Sequence, residues 1–339
     1  MLQPENLPKK YEHLFVDIDC GTMKIPKFQR EFIWTKEQTA KLIDSIIKGF
    51  PIGTFILWKT KEGLRHYKNI GNAKLPDTRK GDFVWYVLDG QQRITSLYAV
   101  RKGLIINKDG HEIDYKDIMI DLNLDPEDDE GLVVTDQNEA EVPISVYRLL
   151  NETFTSLMVD YPKNILEKIE VYKHRLTGYD FSTIVIPEYP LDLACEVFTR
   201  INTGGTELSL FEIMVAKTYD QKKDFDLARE YEWLINNQGV EKDLEDARFD
   251  TIPSQTVLQC VSAHLCKGIR RKDILKLNKN KFIKEWPIVK EGIFCAVDYL
   301  RSHLRVRVSR LLPYNILLVP FTYFFVRNGG KNPTKIQNK

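Results

Sequence analysis

The sharpest change of pattern along the chain falls between residues 83 and 101. Phe83-Val84-Trp85-Tyr86-Val87-Leu88 is an aromatic and β-branched run, the composition of a buried strand. Asp89-Gly90 breaks it. Ile94, Leu97, Tyr98 and Arg101 then recur at helical spacing. The pattern predicts a strand, a tight polar turn and a helix, with Asp89 to Arg93 at the junction. The same signals place the other elements. Thr35 and Gln38 have capping-box spacing. Ala40, Ile43, Ile46 and Ile47 form the stripe of the helix that follows, and Gly49 with Phe50-Pro51 ends it. A strand is expected over 52–59, a loop or hairpin over the polar stretch 60–82, and further strands over 113–122 and 182–187. The stretch 121–141 holds nine acids in a spacing that fits no EF-hand loop, and reads as a solvated loop. Residues 142–150 read as a docking segment. Residues 151–178 read as one helix or two, with Leu166, Ile169 and Val171 among the apolar contacts. Leu191 to Ile201 reads as a helix with Ala194, Val197, Phe198 and Ile201 on its apolar face. Ser209 with Glu212 caps another through Phe211, Val215 and Tyr219. From about 222 the chain turns helical. The fold class expected is α+β: an α/β portion over 1–222, then an α-helical region over 223–339.

Composition changes this picture in two ways. At 339 residues, 43% apolar and 29% charged, the chain is an ordinary soluble globular protein with room for two domains. Its five cysteines (Cys20, Cys195, Cys260, Cys266 and Cys295) include no C-x-x-C pair, which argues against structural zinc and a disulfide framework and suits a cytoplasmic location. The N-terminus shows no apolar signal core. The sixteen uncharged residues 311–326 are interrupted by Pro313 and Pro320, fall short of the roughly 20 that span a bilayer, and read as two buried helices meeting at a proline. No membrane partner is expected. The second change is electrostatic. The net charge of +1 hides 17 Lys and Arg against four acids from Lys267 onward, and 32 against 44 before it. Such polarity points to a nucleic-acid-facing end, with Arg270, Arg271, Lys272, Arg305 and Arg307 as candidate contacts; the plain alternative is a solvated basic helical surface.

Candidate chemistry concentrates at the predicted strand end. A helix start leaves N–H groups unpaired, and its dipole favours an anion. Gly90 lets a ligand approach the backbone. Arg93 offers a planar fork suited to phosphate, and Gln91 and Gln92 donate and accept without charge. Asp89 is able to cap the helix, hold a metal ion or orient a water; serving only as an N-cap remains its plain alternative. No Walker-type glycine–lysine motif accompanies the group. Gln29 and Arg30 lie among Phe28, Phe32 and Trp34, either a nucleotide surface or simply core aromatics beside a surface charge. The stretch Arg200-Ile201-Asn202-Thr203-Gly204-Gly205 is either a phosphate nest or a helix–turn–helix connection.

Three motifs now stand in order: Ile25-Pro26…Phe28-Gln29-Arg30…Trp34, then Asp89-Gly90-Gln91-Gln92-Arg93…Thr95, then Phe198…Arg200-Ile201-Asn202-Thr203-Gly204-Gly205…Leu208. Together, at these separations, they resemble the GmrS-type family of restriction proteins over about residues 20–220. The segment around Leu311-Leu312-Pro313-Tyr314 is also similar to the helical part that follows in such proteins. The resemblance implies a ParB/sulfiredoxin-like N-terminal domain that binds and hydrolyses a nucleoside triphosphate, with Mg²⁺, as a sensor in defence against phage. It implies hydrolysis at Asp89, Gln91, Gln92 and Arg93, with Asp89 on the metal. It implies a nucleotide pocket of Gln29, Arg30, Gly90, Arg93, Thr95, Asn202 and Gly204, with Phe28, Gln29 and Arg30 serving either the nucleotide or modified DNA. The base of the nucleotide is not fixed by it. The implied partner is DNA, modified as in the DNA that relatives recognise, and a homo-oligomer is left open. Relatives often carry an HNH nuclease, whose chemistry needs histidines near acids. Here His264 and His303, the histidines after residue 200, lie in no such setting. The nuclease is therefore expected on a partner chain or on a C-terminal domain missing from this sequence. The competing readings are a DNA-binding module without hydrolysis and a ParB-like nuclease in its own right.

Overall fold

A computed structural model of the protein describes residues 3–29, 31–108, 110–127, 131–201, 209–237 and 242–334. Two compact units divide the chain, with the boundary between residues 203 and 204. The first is built on five strands: β1 (Glu5–Asn6), β2 (Met23–Lys24), β3 (Phe55–Thr60), β4 (Val84–Asp89) and β5 (Thr183–Pro187). Their spatial order is β1-β5-β3-β4-β2. β5 runs parallel to β3 and β2 parallel to β4, whereas the central pair β3–β4 is antiparallel. Leu57 pairs with Val87, but Ile56 pairs with Asp89. Leu88 is thus an extra residue on β4, and this bulge bends the strand just where Asp89 leaves it.

The helices of this unit are α1 (Tyr11–Asp19), α2 (Lys36–Ile47), α3 (Gln91–Lys102), α4 (Val146–Asn151), α5 (Phe154–Leu157), α6 (Lys163–Thr177) and α7 (Leu191–Ile201). Leu14 and Phe15 of α1, Ile43 and Ile46 of α2, Leu97 and Val100 of α3, and Ile169 and Leu176 of α6 join Phe55, Leu57, Val87 and Val185 of the sheet in one buried core. The Thr35 capping box forms as expected, with the Thr35 side chain accepting from Gln38 N and the Gln38 side chain accepting from Thr35 N.

The main elements described in the second unit are helices: α8 (Leu210–Thr218), α9 (Leu227–Ile235), α10 (Ser254–Cys266), α11 (Arg271–Leu275), α12 (Lys279–Ser302) and α13 (Leu318–Arg327), joined by irregular segments and short 3₁₀ turns. Val257, Val261, Ile293, Val297 and Phe325 form the buried seam of α10, α12 and α13. A Cβ on Gly292 of α12 would stand 2.4 Å from Val326 Cγ2, so the glycine sets how closely α13 approaches. The architecture is α+β, as the pattern predicts.

Several local expectations are corrected. Residues 113–122 are not one strand: His111–Asp114 and Met119–Asp121 are strands separated by a 3₁₀ turn, because Asp114 caps that turn through Lys116 N. The acidic stretch is not simply solvated loop. Asp121 is buried, and its carboxylate accepts from the backbone N–H of Asn123, Glu141 and Val142, tying the ends of the stretch together. Residues 142–150 contain a strand, Pro143–Ser145, before α4. On α6 it is Tyr172 that is buried, whereas Val171 is 49% exposed. Residues 311–326 hold only one helix, α13, preceded by 3₁₀ turns. Pro320 sits in its first turn, where a missing N–H breaks no intrahelical bond. No helix among the described residues is long and apolar enough to cross a membrane.

Candidate functional site

The end of β4 is where the first and second motifs meet. Gly90 adopts φ +91° and begins α3 with no side chain to cap it. The first-turn N–H groups of a helix have no intrahelical partner, so this start keeps an anion-binding character. Only glycine fits here: a Cβ would stand 2.3 Å from Phe55 Cδ1, in a backbone region that side chains rarely adopt. Asp89 is not the N-cap. Its carboxylate turns to Arg93, 3.1 Å away.

Arg93 is held more tightly than a surface arginine. Nη1 donates to Ile52 O at 2.6 Å, and Nη2 donates to Thr54 O at 3.0 Å and to Asp89 Oδ2. These contacts take three of the five N–H donors of the guanidinium. The group lies 5.0 Å from the Phe55 ring centroid. Gly53, at φ +85°, makes room for it: a Cβ there would stand 2.6 Å from Nη1. Burial pushes the guanidinium below its ordinary value, and the Asp89 carboxylate opposes that shift. Gly53 and the carbonyls of Ile52 and Thr54 escaped the sequence reading. The available signal was a glycine two residues after Pro51, at the entry to a strand.

The two glutamines of the motifs stitch residues 29–34 onto this turn. Gln29 Nε2 donates to Val87 O at 2.8 Å and Leu88 O at 3.0 Å, the consecutive carbonyls at the bulge. Gln92 Oε1 accepts from Ile33 N and Trp34 N, and its Nε2 donates to Glu31 O and to Gln91 Oε1. All four hydrogen-bonding positions of that amide are filled. Both glutamines are buried, as is Gln91. Thr95 is buried one turn further along α3, and its hydroxyl has no hydrogen-bond partner among the described residues. The third motif reaches the first through Phe198 of α7, whose ring meets Phe28 edge-on at 5.2 Å. The structure therefore brings together Gln29, Asp89, Gly90, Gln91, Gln92, Arg93 and Thr95. Arg30, Asn202 and Gly204 lie outside the described residues. Arg270, Arg271, Lys272, Arg305 and Arg307 are all exposed in the second unit, and no ion pair among the described residues engages them.

Among the described residues no cluster of three His, Cys, Asp or Glu stands ready to hold a metal ion. Asp89 is the single carboxylate of the turn. That fits an ion carried in on a ligand's phosphates, since Mg²⁺ takes one or two protein carboxylates beside substrate oxygens.

One curated relative is an uncharacterised protein of Methanocaldococcus jannaschii, 23% identical over 357 aligned positions, which cover 93% of this chain and 60% of that protein. The chain thus spans about 60% of the length of the relative it matches. The match to a family is more direct. Residues 11–219, which contain β2 to β5, the Asp89–Arg93 turn and both stitched glutamines, match the GmrSD restriction endonuclease N-terminal domain, and the chain belongs to that family.

Proposed function

We propose that the chain is the nucleotide-dependent sensor of a restriction protein, binding and hydrolysing a nucleoside triphosphate at the β4–α3 turn and contacting DNA through its second unit. The observation that carries the reading is the uncapped start of α3 beside the Asp89 carboxylate, in a chain of the GmrSD N-terminal family. The open N–H groups and the dipole of α3 suit the phosphates. Arg93 contributes charge from a fixed position. Gln92 and Gln29 act as positioning residues, since their amides are engaged by backbone. Asp89 orients the attacking water. That water forms a bond to the γ-phosphorus as the bond to the β,γ-bridging oxygen breaks, the nucleoside diphosphate leaves, and the water's proton passes to an oxygen of the released phosphate. Asp89 would hold a Mg²⁺ that arrives with the triphosphate, and that ion would offset the phosphate charge. The exposed arginines of the second unit supply DNA phosphate contacts, and cleavage of DNA belongs to a nuclease on a partner chain or on a further domain.

Calorimetric titration with each of the four nucleoside triphosphates, followed by phosphate-release assays with and without DNA, tests this reading. Binding of at least one triphosphate with release of phosphate is expected. DNA binding with no triphosphate binding would make the chain a DNA-binding module, and nicking of plasmid DNA by the chain alone would make it a nuclease.

A further inference from the structure

A second cluster of charge lies on β2, three residues back along the paired strand from Asp89: Lys24 pairs with Tyr86 of β4. Lys24 is 5% exposed, unusual for an ammonium group. Its Nζ donates to His66 Nε2 at 2.9 Å. His66 Nδ1 lies 2.9 Å from Leu64 O and so carries the ring proton, which leaves Nε2 as the acceptor. Burial, first, pushes the imidazole down to about 4, so the ring is neutral at pH 7, and burial also lowers Lys24 below the usual lysine range. The carboxylate nearest Lys24 is Asp77, 3.6 Å away. Asp77 also bonds Lys68 Nζ and stands 3.7 Å from His66 Nε2. Two ammonium groups therefore share one carboxylate, and that carboxylate is 69% exposed.

This is an underneutralised arrangement. Taking an ammonium out of water is costly unless a well-placed anion compensates it. Here the closest partner of Lys24 is a neutral ring. Asp77 stands on an irregular segment, and its carboxylate is open to solvent.

We propose that Lys24 and Lys68 form a phosphate-binding site, with His66 positioning the Lys24 ammonium and the Asp77 carboxylate holding the place of the phosphate until one displaces it. Lysine is a point-charge phosphate ligand, and a phosphate brings more charge and more oxygens than the carboxylate it replaces. A DNA backbone or the tail of a nucleotide carries that group. The inference rests on the Lys24 cluster and stands apart from the reading of Asp89.

The test uses the full chain in phosphate-free buffer, with inorganic phosphate as the probe, in thermal melts and calorimetry. Asp77→Asn is expected to melt lower than the parent without phosphate, to recover with phosphate, and to bind it about tenfold more tightly, the scale of one charge-assisted hydrogen bond. Lys68→Gln is expected to lose the phosphate effect while staying folded. A duplex oligonucleotide and a nucleoside triphosphate, titrated into parent and Lys68→Gln protein, identify the source as the ligand whose affinity falls. Asp77→Asn destabilisation that phosphate does not rescue, or unchanged affinity for both ligands in Lys68→Gln, overturns the proposal and leaves a structural ion pair. Asp89→Asn should leave the phosphate-dependent shift in place, which separates this outcome from failure of the hydrolytic reading.

Discussion

Arg93 carries its charge into a nearly closed setting, where two backbone carbonyls and one carboxylate receive it. Arg93→Ala would leave the Ile52 and Thr54 carbonyls without their donor. It should lower unfolding free energy by roughly 1.5–3 kcal/mol, the worth of hydrogen bonds to a charged group. Chemical denaturation checks this; a variant as stable as the parent would mean that the guanidinium serves a ligand alone. His66 makes a pH prediction. Its folded value of about 4 lies below the ordinary 6.5 because burial disfavours the charged ring. Between those values the unfolded chain binds a proton that the folded chain does not. Stability contributed by His66 is therefore complete above the ordinary value and falls as pH drops through this window, by up to about 1.4 kcal/mol per pH unit. His66→Gln, which keeps an acceptor for Lys24, should flatten the stability profile between pH 6.5 and 4 by about one proton. Parallel profiles for parent and variant would contradict it.

The strand–turn–helix of β4 and α3 shows what a sequence makes legible and what it does not. The apolar run, the Asp89-Gly90 break and the helical spacing are local signals, and all three elements appear where they point. The capping boxes at Thr35 and Ser209 are equally local, and both form. The bulge at Leu88, the carbonyls that Gln29 satisfies and the clamp around Arg93 arise only when β3 lies beside β4, so no short window of sequence carries them. This is also why Asp89 reads as a cap in the sequence and is an ion-pair partner in the fold. The tightness of the turn is testable. Gly90→Ala combines a positive φ with a 2.3 Å contact to Phe55, whereas Gly81→Ala has a positive φ with open space around it. Gly81→Ala should cost about 1–2 kcal/mol, the left-handed penalty alone, and Gly90→Ala distinctly more. Equal losses in denaturant titrations would show that the turn yields without strain.

At the scale of the whole chain the two units differ in charge as well as in fold. The segment from Lys267 onward holds 17 basic residues against four acids, and its candidate DNA contacts are exposed. About four to six phosphate contacts there would give a slope of log affinity against log salt of roughly −4 to −5. Charge reversal at Arg270, Arg271 and Lys272 together should flatten that slope and weaken binding to all sequences alike. Unchanged slopes would move the DNA path elsewhere, the Lys24 and Lys68 cluster being the next place to look. The central claim concerns the other unit, that the β4–α3 turn hydrolyses a nucleoside triphosphate through Asp89. Asp89→Asn keeps the size of the side chain and an acceptor for Arg93, so the fold and the uncapped start of α3 should persist. The most direct measurement is phosphate release by parent and Asp89→Asn protein at saturating triphosphate, with affinity measured on the same samples. The account predicts that turnover falls by about a hundredfold or more, as when a water-orienting group is lost, while affinity changes little. Equal phosphate release by the two proteins would contradict it.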